Sequence, residues 1–206
     1  MASTQVFSSD TVSVIDYRCE AGLGATPFVE LHTSFSIAYV RKGSFGCRAR
    51  GRSFELVAGS ILIGHPDDEY ICTHDHRGGD ECLSFHLTPA LVDAIGYRPE
   101  IWRSIHAPPL AELIVLGELA QAATEGKSEI GLDEVGMLLA ARFVEILSGW
   151  SRGPTETPAC DRRRAVEAAL WIDANAHEPI DLESTAKEFG LSPFHFSCGF
   201  SREPSA

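Results

Sequence analysis

The stretch SFSIAYVRKGSFGCRARGRSFELVAGSILIG, residues 34–64, decides the fold of the chain. Short apolar segments alternate in it with turn-forming residues. In the first segment Phe35, Ile37 and Tyr39 share one face and Ala38 lies on the other, which predicts a strand buried on both sides. Turn signals then follow at residues 41–44, 50–51 and 58–59. Strands this short and this regularly interrupted are typical of a compact all-β sandwich or barrel.

The same punctuation continues along the next part of the chain. Further turn signals and strand-like segments lie at residues 65–68, 70–74, 78–79 and 82–87. A parallel α/β sheet would need helical crossovers, and this region has none. We therefore predict a β barrel over residues 1–105, with Phe35, Ile37 and Tyr39 lining an effector pocket.

The periodicity becomes helical after the barrel. Amphipathic helices are predicted over residues 110–124 and 130–150, within a helical pair that spans residues 106–150. The second helix carries a long apolar stripe, formed by Leu132, Val135, Leu139, Phe143, Ile146 and Trp150. Because this stripe is longer than a barrel wall needs, we expect a second subunit to cover it in a homodimer.

A Pro/Gly/Thr-rich linker, residues 151–160, separates these elements from a short helical tail, residues 161–206. Three helices are predicted in the tail. Asp181 is the expected N-cap of the second helix, and Gly190 is expected to end that helix with a positive φ. Ser192 and Pro193 then supply the cap and first residue of the third helix. A short helix, a tight turn and another helix form the geometry of a helix-turn-helix.

The tail sequence EPIDLESTAKEFGLSPFHFSCGFSRE, residues 178–203, resembles the first helix-turn-helix of the AraC/XylS family of bacterial transcription regulators. The matching residues are Pro179, Ile180, Ala186, Gly190, Leu191, Ser192, Pro193, Phe194, Phe196 and Phe200. The order of small barrel, helical pair and linker also resembles the cupin-like sensor domain of that family. The resemblance implies an α+β chain: a cupin-like barrel, a helical hairpin and an incomplete all-α helix-turn-helix unit.

The family resemblance also implies which residues contact DNA. Carried over by position, they are Phe194, Ser197, Cys198 and Ser201, with Arg202 near the DNA backbone. The sequence departs from the family in two ways. Cys198 stands where the family usually carries Arg, the strongest bidentate reader of guanine, and one helix-turn-helix unit is present where the family has two. We therefore expect weak DNA binding with little sequence preference.

A second motif, CTHDHRGGDECLSFH at residues 72–86, combines residues that zinc prefers as ligands. If a turn centred on Gly79 closes a hairpin, its strands place five candidate ligands on one face: Cys72, His74, His76, Cys82 and His86. These residues predict one metal ion, zinc rather than iron because of the two sulfur atoms. The alternative is that they are ordinary core residues, with Asp80 a solvated neighbour of the turn. Glu30 and His32 also share a strand face, which fits either a ligand pocket or a structural role.

Composition bounds the remaining function classes. The 206 residues are 44% hydrophobic and 22% charged, as in ordinary globular proteins, and the net charge is −12. The tail itself has five Lys and Arg against eight Asp and Glu, so no basic field favours nucleic acid. The sequence shows no signal peptide, no membrane-spanning segment and no catalytic constellation. It predicts a cytoplasmic, non-enzymatic regulator that binds a small molecule or metal. The alternatives are a metal-dependent cupin enzyme with a helical appendage, or a regulator that acts only through dimerisation.

Overall fold

A computed structural model of the chain describes residues 2–74, 79–149, 159–193 and 196, with the backbone alone for residues 159–162. The chain divides into two compact units, Met1–Gly149 and Trp150–Ala206. The strands of the first unit are β1 (Ala2–Ser8), β2 (Val12–Cys19), β3 (Phe28–Leu31), β4 (Phe35–Ala49), β5 (Arg52–Val57), β6 (Ile61–Gly64), β7 (Glu69–Thr73), β8 (Asp80–Leu87) and β9 (His106–Ala107). Its helices are α1 (Pro89–Ala94), α2 (Pro99–Trp102), α3 (Ala111–Thr124) and α4 (Leu132–Gly149).

The strands form two halves that share β4. In the first half β1, β2, β8, the first part of β4, β6 and β9 are neighbours in that order, and every pair is antiparallel. In the second half the last part of β4 pairs with β5 and β7, and β7 pairs with β3. Side chains of both halves line a common cavity. An antiparallel barrel followed by helices confirms the predicted α+β class.

The turn predicted at residues 41–44 is wrong, because β4 runs without a break through this segment. Its pairing with β8 shifts register between Val40 and Lys42, and Gly43 beside this shift has a φ of 77°. A β-bulge of this kind bends a strand and increases its twist. The bend takes β4 from one half of the barrel to the other. By contrast, the turn predicted at Arg50-Gly51 is present, with positive φ at both residues, and it joins β4 to β5.

The predicted helical pair is confirmed as α3 and α4. Val135, Leu139 and Phe143 of the apolar stripe are fully buried within this one protomer. Gly136 brings the α4 backbone so close to the barrel that a Cβ there would lie 3.1 Å from Phe85. The expectation that a second subunit covers these stripe positions is therefore wrong, since the protomer already buries them. The homodimer itself stays a prediction, and Trp150 lies outside the described residues.

The second unit contains α5 (Ala159–Asn175) and α6 (Leu182–Glu188). The carboxylate of Asp181 accepts a 2.8 Å hydrogen bond from the backbone N–H of Ser184, so the predicted N-cap is confirmed. Gly190 has a φ of 65° and ends the turn that follows α6, also as predicted. Ala186 and Phe196 form a small buried core together with Ala168 of α5.

None of the helices in the described part of the chain is long and apolar enough to cross a bilayer.

Candidate functional site

The cavity between the two halves of the barrel is the candidate site. Ser36, Ala38 and Phe45 line it from β4. The remaining described polar and sulfur-bearing residues on its wall are Tyr17, Cys19, Glu30, His32, Thr33, Tyr70, Cys72, His74, Asp80, Cys82, Ser84 and His86. Such a wall, with aromatic rings beside convergent polar groups, is typical of a small-ligand site.

The predicted effector pocket falls on the wrong face of β4. Phe35, Ile37 and Tyr39 lie opposite Ser36 and Ala38 and do not line the cavity. Phe35 and Tyr39 contact helices instead. The centroids of the Phe35 ring and the Trp102 ring, in α2, lie 5.1 Å apart. The Tyr39 hydroxyl donates a 2.6 Å hydrogen bond to Glu118 of α3. Both faces of β4 are buried, so the alternation of the sequence did not distinguish the face toward the cavity from the face toward the helices.

The predicted metal-binding hairpin is also wrong. β7 pairs with β3 and β4, whereas β8 pairs with β2 and β4, so the two strands belong to opposite halves of the barrel. Cys72 stands opposite Phe28 and Cys47, and not opposite His86. The described members of the predicted set, Cys72, His74, Cys82 and His86, nevertheless reach the same cavity from different strands. His76 lies outside the described residues.

A different group of three side chains comes together at one end of the cavity. Possible ligand atoms of Cys19, His74 and Asp80 all lie within 4.8 Å of one another. Nε2 of His74 is 3.5 Å from Sγ of Cys19 and 3.2 Å from Oδ1 of Asp80. We call these three residues the Cys–His–Asp cluster. It could hold a metal ion, and only His74 of its members was predicted from the sequence.

Strand register explains how the cluster forms. Cys19 ends β2 and Asp80 begins β8, and the two residues are direct partners across the antiparallel pair. Side chains of directly opposed residues lie on the same face, with Cβ atoms about 5 Å apart. His74 follows β7 in the other half, where its carbonyl accepts a 2.7 Å hydrogen bond from the N–H of Gly24. Local sequence spacing carries no signal for Cys19, because 55 residues separate it from His74.

Burial controls the charge of the groups in the cluster. Removal from water raises the pKa of the Cys19 thiol, and it raises the pKa of the fully buried Cys82 thiol well above its usual value. Burial also raises the pKa of Asp80, an effect opposed by the hydrogen bonds with His74 and Cys82. Asp80 is therefore a buried group on the cavity wall, with its side chain 10% exposed, and not the solvated turn residue that its position indicated.

A second group on the cavity wall contains aromatic and hydroxyl side chains. The Tyr70 hydroxyl donates a 2.6 Å hydrogen bond to Glu30, and the His32 ring stacks on Tyr70 at 4.4 Å. Desolvation lowers the pKa of His32 to about 4, and it also lowers the pKa of His86. At neutral pH the imidazoles of His32 and His86 are therefore uncharged.

The residues that the family resemblance implies for DNA contact are not described by the structure. Phe194, Ser197, Cys198, Ser201 and Arg202 all lie outside the described residues. The turn that precedes them is described, and it has the form predicted from the sequence.

Solved structures with a similar fold include cupin domains. A cupin superfamily protein from Desulfitobacterium hafniense is 15% identical, with 42% of this chain and 75% of that chain covered and a TM-score of 0.35. The Cnp3 cupin domain of Schizosaccharomyces pombe is 13% identical, with coverages of 45% and 67% and a TM-score of 0.38. The AraC-like transcriptional activator CuxR is 15% identical, with coverages of 95% and 72% and a TM-score of 0.46. No protein-family model and no curated protein matches the chain.

Proposed function

We propose that the chain is a DNA-binding transcription regulator of the AraC/XylS type, in which the barrel cavity binds the signal. The observation that carries this proposal is the turn after α6. Asp181 caps the start of α6, Gly190 turns the chain with a φ of 65°, and Pro193 begins the next helix. This arrangement supports a helix-turn-helix whose second helix enters the major groove.

The proposed DNA contacts come from that second helix. Phe194, Ser197, Cys198 and Ser201 would face the bases, with Arg202 near a phosphate. The net charge of −3 over residues 158–206, from five basic and eight acidic residues, means that few phosphates are neutralised. Cys198 supplies no bidentate contact to guanine. We therefore expect weak binding with a shallow salt dependence, because the slope with salt grows with the number of neutralised phosphates.

A gel shift with the full chain and the promoter of its neighbouring gene, at two salt concentrations, tests this proposal. Cys198→Arg restores a guanine contact worth about 1–3 kcal/mol, so it should tighten binding by about 5- to 150-fold. The matched control is Ala174→Arg, which adds the same charge at an exposed position of α5. An equal gain from both variants would mean that only charge matters. No gain from Cys198→Arg would show that the recognition helix is misaligned.

The second unit could bind DNA without any signal, so DNA binding alone does not define the function of the barrel. We propose that the cavity binds a small ligand or a metal ion, zinc in the latter case, and that it catalyses no reaction. Zinc is favoured because the cavity offers sulfur and imidazole donors together.

The second candidate function is a metal-dependent cupin enzyme, which the Cys–His–Asp cluster favours because all three of its residues line the cavity. Purified, metal-loaded protein should be incubated with small phenols, sugars and hydroxy acids, and products followed by mass spectrometry. We expect no turnover. Turnover that disappears in His74→Gln would replace the regulator with the enzyme.

A further inference from the structure

We propose that Cys19, His74 and Asp80 are the ligands of a single zinc ion that joins the two halves of the barrel at one end of the cavity. The inference deepens the sensor role proposed above by naming the ion and its ligands. It rests on that role only for the statement that the ion acts as a signal.

The distances between donor atoms fit a zinc ion. Zinc forms bonds of about 2.0–2.3 Å in tetrahedral geometry, so neighbouring ligand atoms stand about 3.3–3.8 Å apart. The separations from His74 Nε2 to Cys19 Sγ and to Asp80 Oδ1 are 3.5 Å and 3.2 Å. These two separations are close to that range, and the ligand atoms of Cys19 and Asp80 lie within 4.8 Å of each other, so the three atoms can surround one ion.

The three ligands come from structural elements that the fold holds in place. Cys19 and Asp80 are partners across β2 and β8, and His74 reaches them from the end of β7. The Cys82 thiol donates to Oδ2 of Asp80 at 3.5 Å, which leaves Oδ1 directed at His74. A group that orients a ligating carboxylate in this way is an expected feature of protein metal sites.

The charge of the cavity favours a cation. Asp80 and Glu30 are on its wall, while the described lining residues include neither Lys nor Arg. Cys19 and His74 are 7% and 2% exposed, so an ion held there is shielded from water. A phosphate or carboxylate ligand would be repelled by these acidic groups, whereas a divalent cation would neutralise them.

The donor set distinguishes among divalent cations. Magnesium and calcium take oxygen ligands, whereas one sulfur, one nitrogen and one oxygen suit zinc. Three protein ligands also leave the fourth tetrahedral position open to water or to a small molecule in the cavity. The ion would then be bound by residues of both halves of the barrel and could also contact a molecule in the cavity.

The test uses the full chain, purified under reducing conditions, with zinc added in competition with a chromophoric chelator. We expect one zinc ion per chain. Cys19→Ser and Asp80→Asn should each weaken zinc binding by at least 10-fold. The matched control is Cys47→Ser, a buried cysteine of β4 that does not line the cavity, and it should keep the wild-type affinity.

Cobalt supplies a second readout that does not depend on affinity alone. Co²⁺ bound by wild type should show a thiolate-to-cobalt charge-transfer band, which Asp80→Asn retains and Cys19→Ser loses. Far-UV circular dichroism establishes that each variant is folded. The site is wrong if wild type binds no zinc, if it shows no thiolate band, or if Cys47→Ser loses as much affinity as Cys19→Ser.

Failure of the site and failure of the regulator are separable. Zinc binding that leaves the gel shift unchanged would keep the site and remove its role as a signal. DNA binding by a chain that takes up no zinc would keep the regulator and remove the site.

Discussion

The hydroxyl of Tyr39 in β4 donates a 2.6 Å hydrogen bond to Oε1 of Glu118 in α3, across 79 positions of sequence. The Tyr39 ring lies against the backbone of Gly117, one residue earlier in the same helix. Tyr39 is only 2% exposed, so the ring has little room to move. This contact holds the helical pair on the outer wall of the barrel.

Gly117→Ala should therefore destabilise the first unit. The new Cβ would lie 2.7 Å from three atoms of the Tyr39 ring. Overpacking of a core costs about 1–3 kcal/mol, while replacing a helical glycine by alanine returns about 1 kcal/mol. We expect a net loss of up to about 2 kcal/mol in the free energy of unfolding, measured with urea. Gly149→Ala, at a helical glycine with open space around it, is the control and should gain up to about 1 kcal/mol, because nothing opposes the added Cβ. If Gly117→Ala and Gly149→Ala are equally stable, α3 does not lie this close to β4.

Leu139→Glu should unfold the first unit instead of producing well-folded monomers. Leu139 is fully buried in the protomer, so a carboxylate there would be removed from water. This substitution should lower the free energy of unfolding by about 4 kcal/mol or more. Its neighbour Leu138 is 47% exposed, so Leu138→Glu should change stability by less than about 1 kcal/mol. Urea unfolding compares the two, and sedimentation gives the association state. A folded, stable Leu139→Glu protein would contradict the packing of α4 on the barrel.

Stability should fall as the pH is lowered from about 6.5 toward 4. Burial lowers the folded-state pKa of His32 from 6.5 to about 4, so within this window the unfolded chain binds a proton that the folded chain does not. The stability lost to this residue reaches about 3 kcal/mol at the acid end and is constant below it. His32→Gln should show a shallower decline in urea unfolding at a series of pH values. Parallel curves for the two proteins would mean that His32 is not buried as described.

Asp181→Ala should reduce the stability of the second unit, because the N–H of Ser184 loses its partner at the start of α6. Asp181→Asn keeps an oxygen acceptor and is the matched control. The backbone hydrogen bond lowers the pKa of Asp181, so its contribution is present above the usual pKa near 3.8 and lost as the pH falls through the folded-state value. Thermal melts followed by circular dichroism should rank the alanine variant lowest. Identical melts of Asp181→Ala and Asp181→Asn would show that the cap does not stabilise the helix.

β4 shows which structural features the sequence pattern predicts and which it does not. Alternating apolar residues predict the first part of this strand, whereas the residues at 41–44 predict a turn. A glycine beside basic residues has the same local signature in a turn and in a bulge. Only the pairing of β4 with β8 on one side and β7 on the other requires the chain to bend there and continue.

Local patterns in the sequence were enough to predict most of the fold. Alternation and turn signals predicted most strands between residues 34 and 87, and helical periodicity predicted α3 and α4. The cap and the glycine around α6 predicted its limits. Each of these signals lies within a few neighbouring residues. The tertiary structure alone decided the site. Cys19 and Asp80 face each other through strand register, and His74 meets them from the opposite half of the barrel. The spacing of these residues in the sequence does not predict their contact, because the contact depends on how strands far apart in the chain pack around one cavity.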